Sequence, residues 1–576
     1  MSIKKFSLLT LILLIILNVN SSYGSVSELK VLIYSIDFSY PKVEKNNNSF
    51  IIKIVETNSV SESSNLPFYT TTFSFPLGTK IVEVSCSHSK PKEIHLDGEL
   101  YKIRMDEYIT NRNYQKVIWD YIKSRRESKS GWFSYRCGCG LEDGEHKIFL
   151  TIHLYPIRYE NYTIEFVDHM EVQVTYITSN QVPKEDIYDL LIISPSKFIE
   201  TIQPLVDHKN NIGLPTKLVS LNEIYNGSYF PVEGRDDAEK IKYFIKNSLD
   251  NWGIRYVLLI GSIDKLPIRE TWIGRLTVLT DLYYADLYDA NHNFCSWDTN
   301  NNNYFGEYRH GWVDDYVDLY PDVHIGRIPC QSNRELEIVI NKIISYERDV
   351  NKEWFTNIVL CGGDTHPHYG VYEGEVTVDE IKENLPAFTP IELLTSKNTF
   401  NPQMLNKMIN NGAGFVAYSG HGFEYGIGTH PPNSEKWIFY FTPYLLGLHN
   451  KGRLPVIFFD ACLTARLDYT LGDILGFHQL STLIPCFAWC FVRKTGGGAI
   501  ATIGATRVAY TFVNEDGVKG GSGYLSLQFF KAYHNGVTVG EMLVSAENNY
   551  LDRIWNDPLT LEEMILIGDP SLPVGR

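Results

Sequence analysis

The sequence predicts an α/β protein in which a mostly parallel sheet carries helices on both faces, preceded by a β-rich, sandwich-like N-terminal domain. Between residues 25 and 183 the apolar patterns are mostly strand-like and are separated by polar, glycine-containing turns. From residue 184 to residue 576 short apolar runs alternate with helical patterns, which is typical of a parallel sheet covered by helices. A polar segment at 182–186 with one proline is the predicted linker.

The composition indicates a folded protein with more than one domain. The 576 residues are 44% hydrophobic and 13% aromatic, which suits packed cores and argues against global disorder. The net charge of −16 argues against a general binder of nucleic acid or of anionic membranes. We therefore expect no nucleic-acid partner, and no membrane contact beyond the N-terminal segment.

The first 24 residues have the layout of a signal peptide. Lys4 and Lys5 precede an apolar run at 6–17, and the small residues Ser22 and Gly24 stand three and one before a cleavage point. We expect removal of this segment and a secreted or cell-surface protein. A retained membrane anchor is the alternative reading of the same run.

Strand-like segments dominate the predicted N-terminal domain, and one short helix is expected at 114–124. This domain shows no catalytic constellation, so a structural or binding module is the default interpretation. The main predicted strands are 30–36, 50–56, 81–86, 147–154 and 171–177.

The predicted second domain alternates strands and helices up to the C-terminus. A long insertion at 281–320 can carry loop-borne function. The predicted strands are 189–194, 217–220, 256–261, 322–327, 357–361, 391–394, 414–419, 455–460 and 498–503. The predicted helices are 196–209, 236–249, 333–350, 377–384, 402–410, 523–533 and 538–551.

Nine cysteines remain after the N-terminal segment, and an odd number in an exported chain predicts at least one free thiol. Cys137 and Cys139 lack zinc-site spacing, so burial or disulfide bonding is expected there. Core packing or disulfide bonding is likewise the interpretation for Cys361, Cys486 and Cys490.

Two strands near the C-terminal third each end in a reactive residue. The strand at 414–419 leads into His421, and the strand at 455–460 leads into Cys462. The 41 residues between them allow a crossover connection, so both residues can reach neighbouring strands of one sheet. Because crevices form at the carboxyl ends of such strands, the pair is a candidate thiol–imidazole dyad. The plain alternative is a buried small thiol and a glycine-histidine-glycine turn.

Further groups complete a candidate acyl-transfer site. The Gly422 N–H and the Cys462 N–H are the expected oxyanion donors, because glycine lets the backbone approach a substrate closely. Asp364 ends another predicted strand and is the candidate that orients or charge-stabilises His421.

At this point the sequence resembles a known family, the gingipain-type cysteine peptidases of the caspase-like clan. The matching segments occur in the family's order. They are GRDD at 234–237, VLLIG at 257–261, HIGR at 324–327, AYSGHG at 417–422, FFDAC at 458–462 and IGDPSLP at 567–573.

The resemblance implies a caspase-like (flavodoxin-like) sheet and an endopeptidase with Cys462 as the nucleophile and His421 as the general acid/base. It also implies a third, acidic residue at the end of the strand carrying Asp364. Family members carry a β-rich propeptide, so residues 25–183 are expected to act as the chain's own inhibitor.

Substrate preference rests on less direct matches. The acidic residue that selects Arg in some family members has no clear counterpart here, although Glu375, Asp379 and Glu380 lie in the corresponding region. A solvated helix face explains these acids equally well. We take Glu375 and Tyr510 as the candidate pocket residues.

A segment of the insertion has the oxygen-rich pattern of a calcium loop, with candidate ligands Asp298, Asn300, Asn302 and Glu307. An Asn-rich solvated loop is the alternative. No cofactor is required by thiol-protease chemistry, so a calcium ion here would be structural.

Three functions fit the sequence. The first is a secreted cysteine endopeptidase made as a zymogen. The second is a non-catalytic surface or adhesion module on a peptidase-like fold. The third is a transpeptidase or ligase that uses the same acyl-enzyme.

Overall fold

A computed structural model of the chain describes residues 12–17, 29–46, 49–60, 65–100, 131–178, 187–274, 276–309, 312–313, 315–349, 352–477, 480–514, 517–554 and 557–575. No helix in these residues is long and apolar enough to span a membrane. The predicted helix at 114–124, the predicted linker at 182–186 and most of the predicted signal peptide lie outside the described residues.

The described residues form two compact units. One contains residues 12–100, 131–178 and the short segment 288–294, and the other contains residues 187–287 and 295–575. The apolar run of the predicted signal peptide contributes the strand Ile12–Leu17, which pairs antiparallel with Leu29–Asp37.

The first unit is β-rich, and its two four-stranded sheets face each other. The Tyr34 and Phe73 rings, one from each sheet, lie 5.5 Å apart, and the Phe75 and Tyr176 rings lie 4.8 Å apart. This is the sandwich-like packing that the alternating pattern predicts. Besides Ile12–Leu17, the strands are Leu29–Asp37, Lys42–Asn46, Ser49–Lys53, Ser59–Val60, Pro67–Pro76, Lys80–His88, Lys92–His95, Glu99–Leu100, Phe133–Glu142, Glu145–Leu154, Ile157–Glu160, Thr163–Phe166 and His169–Ile177.

A ten-stranded, mostly parallel sheet forms the centre of the second unit. Its strands are β1 (Leu190–Ser194), β2 (Thr216–Ser220), β3 (Tyr256–Ile260), β4 (His324–Ile328), β5 (Asn357–Gly362), β6 (Thr389–Leu394), β7 (Phe415–Ser419), β8 (Val456–Asp460), β9 (Ala501–Ala505) and β10 (Met564–Ile567).

The order across the sheet is β2-β1-β3-β4-β10-β9-β8-β7-β5-β6. Neighbours are parallel except β9 and β10, which are antiparallel. Strand direction therefore reverses between them. The carboxyl ends of β5 to β9 all lie at one edge, opposite to that of β1 to β4.

Helices cover both faces of this sheet, as the sequence predicts. On β8, the Phe458 ring contacts Phe529 at 5.4 Å, whereas the next residue, Phe459, contacts Phe487 at 5.4 Å. Because successive strand residues point to opposite faces, the helices of Phe529 and Phe487 lie on opposite sides. The helices of this unit are Ile199–Asn211, Leu221–Tyr225, Asp237–Trp252, Leu282–Ala285, Asn333–Arg348, Glu373–Asn384, Pro402–Asn411, Leu471–Leu475, Phe487–Val492, Gly521–Lys531, Val539–Arg553 and Pro558–Glu563.

Smaller sheets extend from the connections of the second unit. The strands His421–Phe423, Gly426–Thr429 and Ile438–Phe441 form an antiparallel sheet directly after β7, hereafter the small sheet. The sequence reading did not predict it, because these strands are only three or four residues long. The other strands are Arg269–Ile273, Leu276–Thr280, Phe305–Arg309, Trp312–Val313, Thr511–Asn514 and Gly517–Gly520.

All nine cysteines lie in described residues and all are free thiols. The prediction of at least one free thiol is confirmed. The alternative of disulfide bonding for Cys137, Cys139, Cys361, Cys486 and Cys490 is not realised. Cys361 and Cys486 are buried in the core.

Candidate active site

The register of β7 and β8 brings His421 and Cys462 to one edge of the sheet. Ser419 and Asp460, the last residues of the two strands, are direct partners. His421 and Cys462 each follow two residues later, and the Gly420 N–H donates to the Asp460 carbonyl at 3.1 Å. Both side chains line one cavity of about 440 Å³. The predicted placement on neighbouring strand ends is therefore confirmed.

Gly422 allows the two segments to touch. A Cβ at this position would lie 2.1 Å from the Cys462 carbonyl oxygen and 2.8 Å from the Ala461 Cβ. Any side chain would push the His421 segment away from Cys462, so only glycine permits this approach. The backbone of the predicted oxyanion donor Gly422 thus lies directly against that of the second predicted donor, Cys462.

The His421 ring is oriented by a backbone oxygen. Its Nε2 lies 2.7 Å from the Thr365 carbonyl oxygen. Because a carbonyl only accepts, Nε2 carries the proton and Nδ1 is the basic nitrogen. Burial lowers the pKa of His421 to about 4, against the opposing effect of the Thr365 carbonyl. The imidazole is therefore neutral at neutral pH.

The Cys462 thiol is also neutral. Burial raises its pKa to about 12, and the nearby Glu563 and Asp460 carboxyls act in the same direction. The thiol donates to the Ala509 carbonyl at 3.3 Å. The structure thus contains a neutral thiol and a neutral imidazole.

Asp460 fixes the chain segments around the dyad. Its buried carboxylate accepts hydrogen bonds from Ser419 Oγ at 2.6 Å, Thr511 Oγ1 at 2.7 Å and Ser522 Oγ at 2.5 Å. Ser419 precedes His421, and Asp460 precedes Cys462. The hydroxyl of Thr511 ties the cavity wall at 508–511 to the same carboxylate. Asp460 therefore holds together the three segments that surround Cys462.

Asp364 lies at the end of β5 but its carboxylate is engaged elsewhere. Asp364 forms a β-bridge with His430, and its Oδ2 accepts from the Asn433 N–H at 2.6 Å. Burial raises the pKa of this carboxyl. The oxygen that holds His421 belongs to the next residue, Thr365. Asp364 thus lies at the predicted edge of the sheet. The group that orients the His421 ring is the Thr365 backbone carbonyl and not the Asp364 carboxylate.

The two predicted pocket residues have different positions. Tyr510 lines the cavity, and its hydroxyl donates to Asp557 Oδ2 at 2.5 Å. Glu375 does not match the prediction, because its carboxylate accepts from the Ser396 N–H at 2.8 Å and from the Thr395 and Ser396 hydroxyls. The helix begins at Glu373, four residues before the predicted start at 377. Glu375 therefore lies where it can bind the loop at 395–396.

Glu373 is an acid at the cavity that the sequence did not predict. Its Oε2 accepts from the Thr365 N–H at 3.0 Å and from the His366 N–H at 3.2 Å, while its buried Oε1 has no hydrogen-bond partner. Burial raises the pKa of Glu373 to about 7. Glu373 therefore holds the Thr365 segment and keeps one buried carboxylate oxygen without a hydrogen-bond partner beside the site.

The predicted calcium loop is closed by protein groups. Asp298 pairs with the Arg235 guanidinium, and the amide nitrogens of Asn300 and Asn302 point to Glu307. A cation site needs oxygens that converge on one point, and these contacts direct donors to the carboxylates instead. The described residues contain no cluster of acidic, His or Cys side chains suited to a metal. As arranged, the loop does not fit calcium.

A model of one known family covers most of the chain. The model of peptidase family C25 matches residues 184–575, which include His421 and Cys462. The chain belongs to peptidase family C25. The resemblance to gingipain-type peptidases that the motifs indicate is therefore confirmed.

Individual relatives are distant. The chain is 26% identical over 330 residues to gingipain R2 of Porphyromonas gingivalis, a match that covers 55% of this chain and 36% of the relative. It is 25% identical over 349 residues to a protein of Archaeoglobus fulgidus, covering 57% of this chain and 78% of that relative. The complex of the Porphyromonas gingivalis RgpB pro- and mature domains aligns with a TM-score of 0.49 and 22% identity, over 67% of this chain and 79% of that one.

Sequence reasoning missed Thr365, Glu373, Asp460 and Trp437, all of which line the cavity. Thr365 acts through its carbonyl, which no side-chain pattern reveals. Asp460 could have been found from the sequence. A carboxylate that ends an otherwise apolar, buried strand must either be paired with other groups or have a function.

Proposed function

We propose that this C25 family member is a cysteine endopeptidase that uses Cys462 and His421. The observation that carries the proposal is the parallel register of β7 and β8, which delivers both residues to one cavity with Nδ1 of His421 left basic. A neutral thiol and a neutral imidazole suit the first step, because the imidazole can accept the thiol proton when the substrate binds.

In the proposed reaction, His421 Nδ1 takes the thiol proton as Sγ attacks the scissile carbonyl carbon. The Gly422 and Cys462 N–H groups stabilise the resulting oxyanion. His421 then gives its proton to the leaving amine, and a thioester remains on Cys462. Water, deprotonated by His421, hydrolyses this thioester and restores the thiol.

Glu373 is the proposed determinant for a basic side chain beside the scissile bond. The Arg-specific cysteine proteinase gingipain R, whose crystal structure is known, shares 21% sequence identity with this chain. In the present cavity the unpaired Oε1 of Glu373 can accept from a guanidinium or ammonium group. Asp364 is a less direct contributor, because it supports the Thr365 segment through the backbone.

Secretion and synthesis as a zymogen are part of the proposal. They are supported by the signal-peptide layout of residues 1–24 and by the β-rich unit that precedes the family match. Cleavage near residues 180–188 would release the peptidase domain. Mass spectrometry of secreted wild type and Cys462→Ala should then show a shortened wild type and an uncut variant. An uncut wild type that nevertheless hydrolyses peptides would contradict the zymogen proposal.

The activity itself is tested with a library of internally quenched peptides, with and without a thiol-directed epoxide inhibitor. We expect internal cleavage that the inhibitor abolishes, with product masses reporting the residue before the cut. Cleavage that persists in Cys462→Ala, or no cleavage of any peptide after processing, would overturn the proposal.

A further inference from the structure

Five aromatic side chains form a continuous, partly exposed surface that begins at the catalytic histidine. We define this aromatic strip as Phe423, Tyr425, Trp437, Phe439 and Phe441, all on or beside the small sheet. The Trp437 and Phe439 rings stack at 4.9 Å, and the Phe439 and Phe441 rings at 4.8 Å. Tyr425 lies 5.7 Å from Phe441 and 6.2 Å from Phe423.

The register of the small sheet places the strip on the same face as His421. His421 is opposite Gly428, which is opposite Phe439. Directly paired residues of antiparallel strands share a face, so His421 and Phe439 point to the same side. The His421 and Trp437 ring centroids are 5.0 Å apart, and Trp437 and Phe423 also line the catalytic cavity. The strip is therefore an extension of the active-site cavity.

Two glycines let the rings lie flat on the sheet. A Cβ at Gly428 would lie 2.7 Å from Phe439 Cδ1, and a Cβ at Gly426 would lie 2.5 Å from Phe441 Cδ1. The Phe439 and Phe441 rings thus lie over the backbone of Gly428 and Gly426, in the space that a side chain at either glycine would occupy. This packing fixes the orientation of the two rings.

The two faces of the small sheet differ in burial. On the opposite face Ile427 and Tyr440 are fully buried. On the strip, by contrast, every ring keeps some exposure, and Tyr425 is 49% exposed. A contiguous exposed apolar surface is unfavourable in water and marks an interaction site. Because this surface adjoins the cavity at His421, a molecule bound in the cavity can extend onto it.

We propose that the aromatic strip is an extended subsite for bulky apolar or aromatic side chains of the substrate polypeptide. This inference rests on the proposed peptidase function and adds a second specificity determinant to the cavity. From Trp437 to Phe441 the strand advances four residues, or about 13 Å, which matches about four residues of an extended peptide. The recognised side chains therefore lie within about four residues of the scissile bond.

The rings favour a polypeptide over a saccharide. Sugar binding needs several hydrogen-bonding side chains beside the aromatic platform, and the only polar side-chain groups among the five strip residues are the Tyr425 hydroxyl and the Trp437 indole N–H. The nearby Glu424 carboxylate pairs with Arg466 at 2.7 Å. Apolar side chains, in contrast, gain from burial against every ring.

The test compares cleaved peptides that differ only by Phe or Ala at each of the four positions on either side of the cut. We expect at least one position at which wild type prefers Phe by about tenfold in kcat/KM. Phe439→Ala and Tyr425→Ser should each reduce that Phe/Ala ratio at least threefold. Tyr229→Ser, a change at a 38% exposed tyrosine of the second unit, is the matched control. A wild-type ratio near one, or an unchanged ratio in both variants, would overturn the inference.

A binding measurement separates this inference from the proposed activity. Fluorescein-labelled dodecapeptides of alternating Ala and Ser, with or without a central Phe pair, are titrated against Cys462→Ala protein. We expect the Phe pair to bind at least tenfold more tightly, and the difference to vanish when Phe439→Ala is added. If wild type cleaves nothing but this difference persists, the activity proposal fails and the subsite stands. Equal binding of both peptides, or displacement by cellohexaose, would overturn the subsite.

Discussion

The dyad edge and the aromatic strip both begin at His421, yet glycine serves them in different ways. At the dyad edge, formed by the carboxyl ends of β7 and β8, Gly422 lets backbone meet backbone. On the strip, Gly426 and Gly428 let aromatic rings lie on backbone. The first region lines a cavity and is held by a network around Asp460, whereas the rings of the second keep part of their surface exposed. The proposed bond breaking thus depends on an edge held by buried hydrogen bonds, and the proposed recognition on an adjacent aromatic surface.

The largest expected effect comes from removing the proposed reacting side chains at the dyad edge, which leaves the aromatic strip intact. Cys462→Ala and His421→Ala should each lower kcat by about 10⁴-fold or more, because thiol and base act as one unit. Peptide binding through the strip should be retained in both. Cys361→Ala is the control, since that buried thiol lies within β5. Steady-state kinetics with peptide titrations provide the measurement, and a comparable loss in the control would contradict the assignment.

Gly422→Ala should damage the dyad edge almost as severely. The added methyl group would meet the Cys462 carbonyl at 2.1 Å, so the His421 segment must move. We expect kcat to fall about 100-fold, because displacement of a reacting group by about 1 Å has this effect. Gly452→Ala, where nothing lies within 4 Å of the new Cβ, is the control. Full activity in Gly422→Ala would show that the close approach is not needed.

Asp460→Asn should loosen the dyad edge without touching the strip. The amide nitrogen cannot accept a hydrogen bond, so Ser419 loses its partner or Thr511 and Ser522 lose theirs. We expect the free energy of unfolding to fall by about 1–3 kcal/mol and kcat to fall about tenfold. The Phe/Ala preference should stay constant. Denaturant titration and peptide kinetics measure these effects, with Asp237→Asn as the surface control.

Glu373→Gln should show the smallest effect, visible as a changed pH profile. The pKa of about 7 means that Glu373 is mostly protonated below pH 7 and ionised above it. Binding of a peptide with Arg before the cut should therefore strengthen as pH rises through about 7. KM for that peptide should lose this dependence in the Gln variant, while KM for an uncharged peptide stays flat in both. A pH dependence that survives the substitution would assign it to another group.

The sequence was sufficient for the sheet and for the placement of His421 and Cys462 at one edge, and insufficient for what surrounds them. Apolar runs before His421 and Cys462 predict buried parallel strands, because that environment demands continuous apolar sequence. The reversal of strand direction between β9 and β10 could not be predicted, since pairing between distant segments leaves no local pattern. Glu375 was mistaken for a cavity residue because it lies two residues, or about 200° of helix rotation, from Glu373, which lines the cavity. The strip was missed because Phe439 and Phe441 read as core residues until their exposure is known.

The most direct test of the Cys462–His421 pair is the rate at which iodoacetamide alkylates Cys462, followed by peptide mass mapping between pH 3 and pH 9. Alkylation of this one residue should abolish peptide hydrolysis in proportion to its extent. The rate should fall as pH drops through about 4, where His421 becomes protonated and no longer accepts the thiol proton. In His421→Ala it should be at least 100-fold slower at neutral pH. Hydrolysis that survives full alkylation of Cys462, or an unchanged rate in His421→Ala, would contradict the account.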